Sequence, residues 1–395
     1  MFIAILGRQP AIGIAECERV FDDVSWFSDT SAVIHADSVD IQRLGGVIKA
    51  GRVVAELQRG DWRQASMKLV QAYRQAWSGR EGKITLGISA YGFNLSGREV
   101  QKTGIILKSK LKESGVSLRL IPNDDTALGS ATSHHNKLGL ADNKVELLVV
   151  RGHGGKIIIA ESVGTQNITA LARRDQGRPA RDAFVGMLPP KLALTMLNLA
   201  GTKPRMQVLD PFCGTGVVLQ EGLLLDYTVS GSDLNPKMVD YTMRNIDWIK
   251  KTHDKGSVGL IRQGDAMDFE WVEAPNLDAV VCEAYLGQPF SAPPSPPKLV
   301  EVRGNCDHII SSFLKNIARQ IHSGAHLCVA VPAWRAADGS FTHLPLINKL
   351  DQLGYRQHTF KNISSSDLLY YREDQVVARE LLVLEKLKNE RGPDR

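Results

Sequence analysis

Val208-Leu209-Asp210-Pro211-Phe212-Cys213-Gly214-Thr215-Gly216 is the stretch on which the fold of this 395-residue chain turns. A short apolar run ends in an acid, and two glycines then open a helix. That is the strand-to-helix turn of an open α/β sheet, which binds its ligands beyond the carboxyl ends of the strands. Gly214 and Gly216 let the backbone pass close to such a ligand. The third glycine of the dinucleotide fingerprint is missing, because Val217-Val218-Leu219 follow Gly216. A pyrophosphate therefore fits less well than a ligand that offers an ammonium group to Asp210, and S-adenosylmethionine carries one.

Downstream, TVSGSD, VGLIRQGDA, LDAVVCEA and AHLCVAVPA read as strands alternating with helical segments, the pattern of a parallel, doubly wound sheet. Upstream, MLPPKLALTMLNLAG predicts a helix with Pro189 and Pro190 at its start, where a missing N–H costs nothing, and Gly201 past its end. Asp233 ends the second strand, where a carboxylate can accept both hydroxyls of a ribose. Asp265 follows the third, placed to accept an adenine amine while the backbone of Ala266 donates. Either acid alone also makes a good cap for the turn or helix that follows it; together with Asp210 they form a series after three successive strands.

The fourth strand ends in Val281-Cys282-Glu283-Ala284-Tyr285-Leu286-Gly287. A carboxylate here can accept a hydrogen bond from the exocyclic amine of a target base, raising the electron density of its nitrogen, and an aromatic can stack on the flipped base. Glu283 and Tyr285 are the candidate catalytic residues. The proline-rich SAPPSPPK after them predicts a stiff wall beside the site. A covalent thiol mechanism would need a base-facing cysteine, and this strand end offers Glu283 instead. His134 and His135 are adjacent, so their side chains diverge and no metal site is expected.

Ahead of residue 165 the chain reads as smaller α/β pieces. A strand MFIAIL leads into a helical GIAECERVF, strand-like stretches follow near Ser31–His35 and Gly51–Leu57, and a helix is predicted from Trp62 to Trp77. The pattern restarts with KITLGISAYG, a helix with Val100, Ile105, Leu107 and Leu111 on one face, the strand VSLRLI, and a hairpin-like pair around Gly152–Gly155. With 43% hydrophobic and 23% charged residues, neither disorder nor coiled coil describes the chain. No apolar run reaches the roughly 18 residues of a membrane span, and the start lacks the features of a signal peptide. Five scattered cysteines without a C-x-x-C pair suit a reducing compartment, so a cytoplasmic location is expected.

The net charge is +5, and it is unevenly spread: residues 101–190 carry 13 Lys+Arg against 8 Asp+Glu, while 191–395 carry 23 against 24. A localised surplus suits contact with a polyanion. Arg173, Arg174, Arg178 and Arg181 are its candidate RNA contacts.

The chain resembles the THUMP-domain tRNA guanosine-N2 methyltransferases, of the kind that modify tRNA position ten. The residues that carry the resemblance are ILGRQPAIGIAECERVF, LGGVIKAG, ISAYG, KSKLKESGVSLRLI, GRPARDAFVGMLPPKLALTMLNLAG and VLDPFCGTG. The resemblance implies an α/β chain with an N-terminal ferredoxin-like domain over 1–78, a THUMP RNA-binding domain over 79–164, a linker and junction over 165–190, and a Rossmann-like class I methyltransferase domain over 191–395. It implies S-adenosylmethionine as cofactor, held by Asp210, Gly214, Gly216, Asp233, Asp265 and Ala266, and tRNA as partner; a further partner subunit stays open. The family's amino-methylating motif is Asp/Asn-Pro-Pro-Tyr. Aligned on Gly287, this chain has Glu283 for the acid, Ala284 and Tyr285 for the prolines, and Leu286 for the stacking Tyr. Methylation of adenine N6 or cytosine N4, or an RNA-binding protein without turnover, are the alternatives.

Overall fold

The computed structural model describes residues 1–182 and 188–388; of the junction stretch quoted above, residues 183–187 lie outside the described residues. The chain divides into two compact units, Met1–Leu171 and Ala172–Arg395.

Unit 1 contains β1 (Phe2–Leu6), α1 (Pro10–Val20), β2 (Asp23–Ser28), β3 (Ser31–His35), β4 (Val47–Leu57), α2 (Trp62–Ala76), β5 (Ile84–Tyr91), α3 (Gly97–Glu113), β6 (Leu118–Leu120), α4 (Ser130–His135), β7 (Lys144–Arg151) and β8 (Ile157–Thr165); α5 (Ile168–Gln176) follows. The helix starts follow from local chemistry. Asp61 and Gln64 form a reciprocal capping box before α2, and Ser96 and Glu99 form another before α3. The strands join in one eight-stranded mixed sheet of order β2-β3-β1-β4-β8-β7-β5-β6. Leu147, Val149, Ile157 and Ile159 pack under α2 and α3, while Leu148, Val150, Ile158 and Ala160 pack on the opposite face with Ile3, Ile5 and Phe27. Strands buried on both faces read as continuous apolar runs rather than alternating ones.

The sequence-derived boundary at 78/79 falls inside this sheet. The long β4 pairs with β1 on one side and with β8 on the other, joining residues 47–57 to residues 157–165. Sequence periodicity sees each strand but not a partner about a hundred residues away.

Unit 2 contains α6 (Pro190–Ala200), β9 (Gln207–Asp210), α7 (Val217–Leu224), β10 (Thr228–Asp233), α8 (Pro236–Thr252), β11 (Ser257–Gln263), β12 (Ala279–Glu283), α9 (Pro296–Ala318), β13 (His326–Arg335), β14 (Phe341–Thr342), β15 (Tyr355–Gln357), β16 (Leu369–Tyr370) and β17 (Val377–Lys386). The sheet runs β11-β10-β9-β12-β13-β17-β15, with β14 and β16 paired at its side. From β11 to β13 the pairs are parallel; β17 enters antiparallel, so the doubly wound sheet is mixed rather than wholly parallel. From β9 the chain moves outward through β10 to β11, then returns to place β12 on the other side of β9. The strand order reverses there, which opens a crevice at the carboxyl ends of β9 and β12.

Candidate active site

A cavity of about 580 Å³ occupies that crevice, within the range of small-molecule and cofactor sites. Asp210, Gly214, Asp233, Asp265, Ala266, Glu283 and Tyr285 all line it. Residues spread over positions 210 to 285 thus converge because parallel strands deliver all their carboxyl ends to one edge.

Asp210 is 2% exposed, and one of its oxygens accepts the Phe212 N–H at 3.1 Å. Burial pushes its carboxyl well above the usual range, and the nearby charges of Asp233 and Glu283 push the same way. Asp233 ties the end of β10 to the glycine turn: its oxygens accept the N–H groups of Gly214 and Asn235, each at 2.9 Å. Burial raises its pKa while these two bonds lower it. Partly desolvated carboxylates facing one cavity favour a ligand that brings positive charge. The donor set fits a sulfonium and ammonium cofactor in the one property a dinucleotide would not satisfy.

Gly216 does not line the cavity. Its φ of 79° is left-handed, and a Cβ there would stand 3.1 Å from Thr242. Its part is to shape the turn into α7. Thr242 itself donates to the Gly214 carbonyl at 2.8 Å.

The loop with Asp265 and Ala266 is clamped from α9. Asn316 donates to the carbonyls of Ala266 and Phe269 at 3.2 and 2.9 Å, and Gln320 donates to Phe269 at 2.9 Å while accepting the Trp271 N–H at 2.9 Å. Asp265 accepts the Met267 N–H at 2.9 Å. Nothing in the local sequence announces the clamp, because Asn316 lies 50 residues from Ala266.

Glu283 closes β12, and its carboxylate accepts a hydrogen bond from Nε of Arg379 on β17. Burial raises the Glu283 pKa, and the guanidinium draws it back down. Tyr285 is 42% exposed at the cavity mouth, on the segment leading to Gly287, whose φ is 80°. Sequence reading missed Arg379, and it also missed Asp182. Asp182 lines the same cavity and pairs with Lys237 at 2.9 Å. Asn245 brackets the two segments there, exchanging hydrogen bonds with Ala180 and donating to the Thr215 carbonyl at 2.8 Å.

The four candidate RNA arginines do not form one exposed set. Arg174 makes two bonds to the buried Glu221, at 2.6 and 3.0 Å, and Arg178 is 3% exposed. Burial raises the pKa of Glu221 on α7, and both guanidinium groups lower it. Arg173 and Arg181 stay exposed. Among the described residues no group of three His, Cys, Asp or Glu side chains could hold a metal ion, and no helix is long and apolar enough to cross a membrane.

Comparison with known proteins bears on this geometry. The family model described as "RMKL-like, methyltransferase domain" matches residues 178–337, which contain every strand end of the cavity. A tRNA (guanine(10)-N2)-dimethyltransferase of Methanothermobacter thermautotrophicus is 31% identical over 172 residues, covering 42% of this chain. The match spans 46% of that relative, about half its length. The "Probable tRNA (guanine(10)-N2)-dimethyltransferase" of Methanothermococcus thermolithotrophicus is 33% identical over 124 residues, covering 31% of this chain and 70% of the relative. The chain belongs to the tRNA guanosine-N2 methyltransferase family. For this family member the fold likeness extends further than the sequence match. The crystal structure of TrmN from Thermus thermophilus aligns over 98% of this chain and 99% of that one, with a TM-score of 0.53 and 18% identity. The family match places a methyltransferase domain within unit 2, and the likeness to TrmN is one of fold.

Proposed function

We propose that the chain is an S-adenosylmethionine-dependent tRNA methyltransferase that modifies the exocyclic N2 amine of a guanosine, at position ten as the names of its relatives suggest. The observation that carries this reading is the single cavity at the switch point of the sheet, which gathers three buried or half-buried acids for the cofactor and a fourth, Glu283, for the acceptor. Asp210 would take the ammonium group, Asp233 the ribose hydroxyls, and Asp265 with the Ala266 backbone the adenine. When bound, S-adenosylmethionine supplies an electrophilic methyl on its sulfonium.

The chain's own residues supply position and polarity. Glu283 at the floor accepts a hydrogen bond from the target amine, and Tyr285 at the mouth stacks on a base turned out of its helix. Glu is one methylene longer than the family's Asp, a displacement of about 1 Å that would misplace the acceptor oxygen if nothing else adjusted. Unit 1, in this reading, combines ferredoxin-like and THUMP-type RNA-binding parts that hold tRNA by shape and backbone charge, and the protein works in the cytoplasm.

Mass spectrometry of nucleosides from unmodified tRNA, incubated with the protein and S-adenosylmethionine, tests the reading. N2-methylated guanosine is the expected product. Methylated adenosine or cytidine would assign a different base to the same cavity, and no methylation with intact cofactor binding would leave an RNA-binding protein.

A further inference from the structure

Arg379 lies outside every motif that the sequence singles out, yet its guanidinium donates a hydrogen bond to the acid at the floor of the cavity. Both partners are largely buried, with side chains 11% and 16% exposed. The sheet register shows how they meet. Glu283 pairs with Ala330 of β13, and Pro332, two residues on, pairs with Arg379 of β17. Residues two apart share a face of a strand, so Glu283, Ala330, Pro332 and Arg379 lie on one face. The two middle positions hold small or compact side chains, and a long arginine can lie across them. Glu380, the next residue, points to the other face and binds His343 at 2.6 Å.

We propose that Arg379 is the positioning residue of the acceptor site: it fixes the longer Glu283 side chain and keeps it a carboxylate, one oxygen spent on the guanidinium and the other left for the incoming amine. This inference rests on the methyltransferase reading for its consequence, and it deepens that reading by naming what replaces the shorter acid of the family motif. An unanchored Glu has one more rotatable bond than Asp to immobilise, and a buried one without a cation takes up a proton. Either change weakens the acceptor, by losing its charge or its placement. Among the described residues, the charged groups that act on Glu283 are Arg379 from β17 and Asp210 from β9. Its own strand adds the buried thiol of Cys282, β13 presents Ala330 and Pro332, and α9 brings the neutral Asn305 to the cavity. Without Arg379, nothing in that set would hold the proton off.

The test uses the full chain as wild type, Arg379→Met, Arg379→Lys and Glu283→Gln, with calorimetry of S-adenosylmethionine binding as the check that each variant is folded. Single-turnover methyl transfer to unmodified tRNA is followed from about pH 6 to about pH 9. Arg379→Met should lose about 100-fold at neutral pH and regain about tenfold or more as the pH rises and Glu283 ionises. Arg379→Lys, which keeps the charge, should stay within about tenfold of wild type. A loss of the same factor at every pH, or no loss, overturns the proposal. Infrared difference spectra report the Glu283 proton without turnover, using Glu283→Gln to assign its carboxyl band. The acid should be ionised at neutral pH in the wild type and protonated in Arg379→Met; equal ionisation in both overturns the proposal. If the wild type transfers no methyl to tRNA, the functional reading falls, and the infrared result still decides what Arg379 does.

Discussion

Asp210 links stability to function at the level of a single side chain. Its folded pKa lies above the ordinary value of 3.8 because burial disfavours the charge. The folded state therefore binds that proton more tightly than the unfolded one, so stability falls as pH rises from 3.8 through the raised value, and the penalty stands in full above it. Asp210→Asn keeps an oxygen for the Phe212 N–H and removes the penalty. Without added ligand it should melt about 2–4 °C higher at alkaline pH, as a gain of roughly 1 kcal/mol gives a domain of this size, with the gain shrinking as the solution is acidified. Its affinity for S-adenosylmethionine should nevertheless drop by at least about tenfold, roughly 1.4 kcal/mol, from the lost charge-assisted bond. Melting curves and calorimetry on one sample decide both; a variant that binds normally removes Asp210 from the cofactor site. At the acceptor end, Glu283→Gln should keep cofactor and tRNA affinity yet lose about 100-fold in transfer, the pattern of an interaction made mainly in the transition state. Tyr285→Ala should lose roughly 1 to 3 kcal/mol of base stacking. Single-turnover rates equal to wild type for both would move the active site elsewhere.

Elements show where sequence reading succeeds and where it stops. The strand ends of β9, β10 and β12 were legible because an apolar run closing in an acid is a local pattern, and the turn after β9 because two glycines are. The partners that hold those ends were not. Asn316, Gln320, Asn245 and Arg379 reach the site from other elements, and an Asn on a helix or an Arg on a closing strand looks like any solvated residue until the fold brings it in. The inward turn of Arg174 and Arg178 was hidden for the converse reason, since a basic run shows its charge but not which members turn inward to an acid such as Glu221. The clamp from α9 gives a prediction at this scale. Asn316→Ala leaves the buried Ala266 carbonyl without this donor and the Phe269 carbonyl with Gln320 in its place, a cost of about 1–3 kcal/mol. Affinity for S-adenosylmethionine and for S-adenosylhomocysteine should fall by the same factor, because the loop faces the adenosine part that both share. Unequal losses in calorimetry would place the loop against the sulfur end. In unit 1, the buried pair of Lys49 on β4 and Glu146 on β7 spans β8, with Ser89 donating to the same carboxylate at 2.6 Å and Lys49 donating to the Leu128 carbonyl at 2.7 Å. Lys49→Met strands the acid and should cost about 3–5 kcal/mol, whereas adding Glu146→Leu should restore most of it. Urea titrations that leave the double variant as weak as the single one would assign the cost to lost packing instead.

Over the whole molecule, the two units divide the chemistry by charge as well as by contacts. Every acid of the cofactor cavity lies in unit 2, and residues 191–395 are nearly balanced in charge, while the basic surplus precedes them. That arrangement suits a catalytic unit that binds a cationic cofactor through carboxylates and leaves the polyanion to the front of the chain, since one surface cannot favour both signs. Two measurements follow for the full chain and for a fragment of residues 166–395, which keeps α5 and the whole core of unit 2. Binding of S-adenosylmethionine should be alike in both. Binding of tRNA to the full chain should weaken at least about tenfold between about 50 and 200 mM salt, as releasing the counterions of about two phosphates already requires, and the fragment should hold tRNA too weakly to show that dependence. A fragment that matches the full chain in tRNA affinity and in salt slope would put the RNA-binding surface on the methyltransferase unit. The exposed Arg173 and Arg181, which the fragment retains, would then be the first side chains to replace.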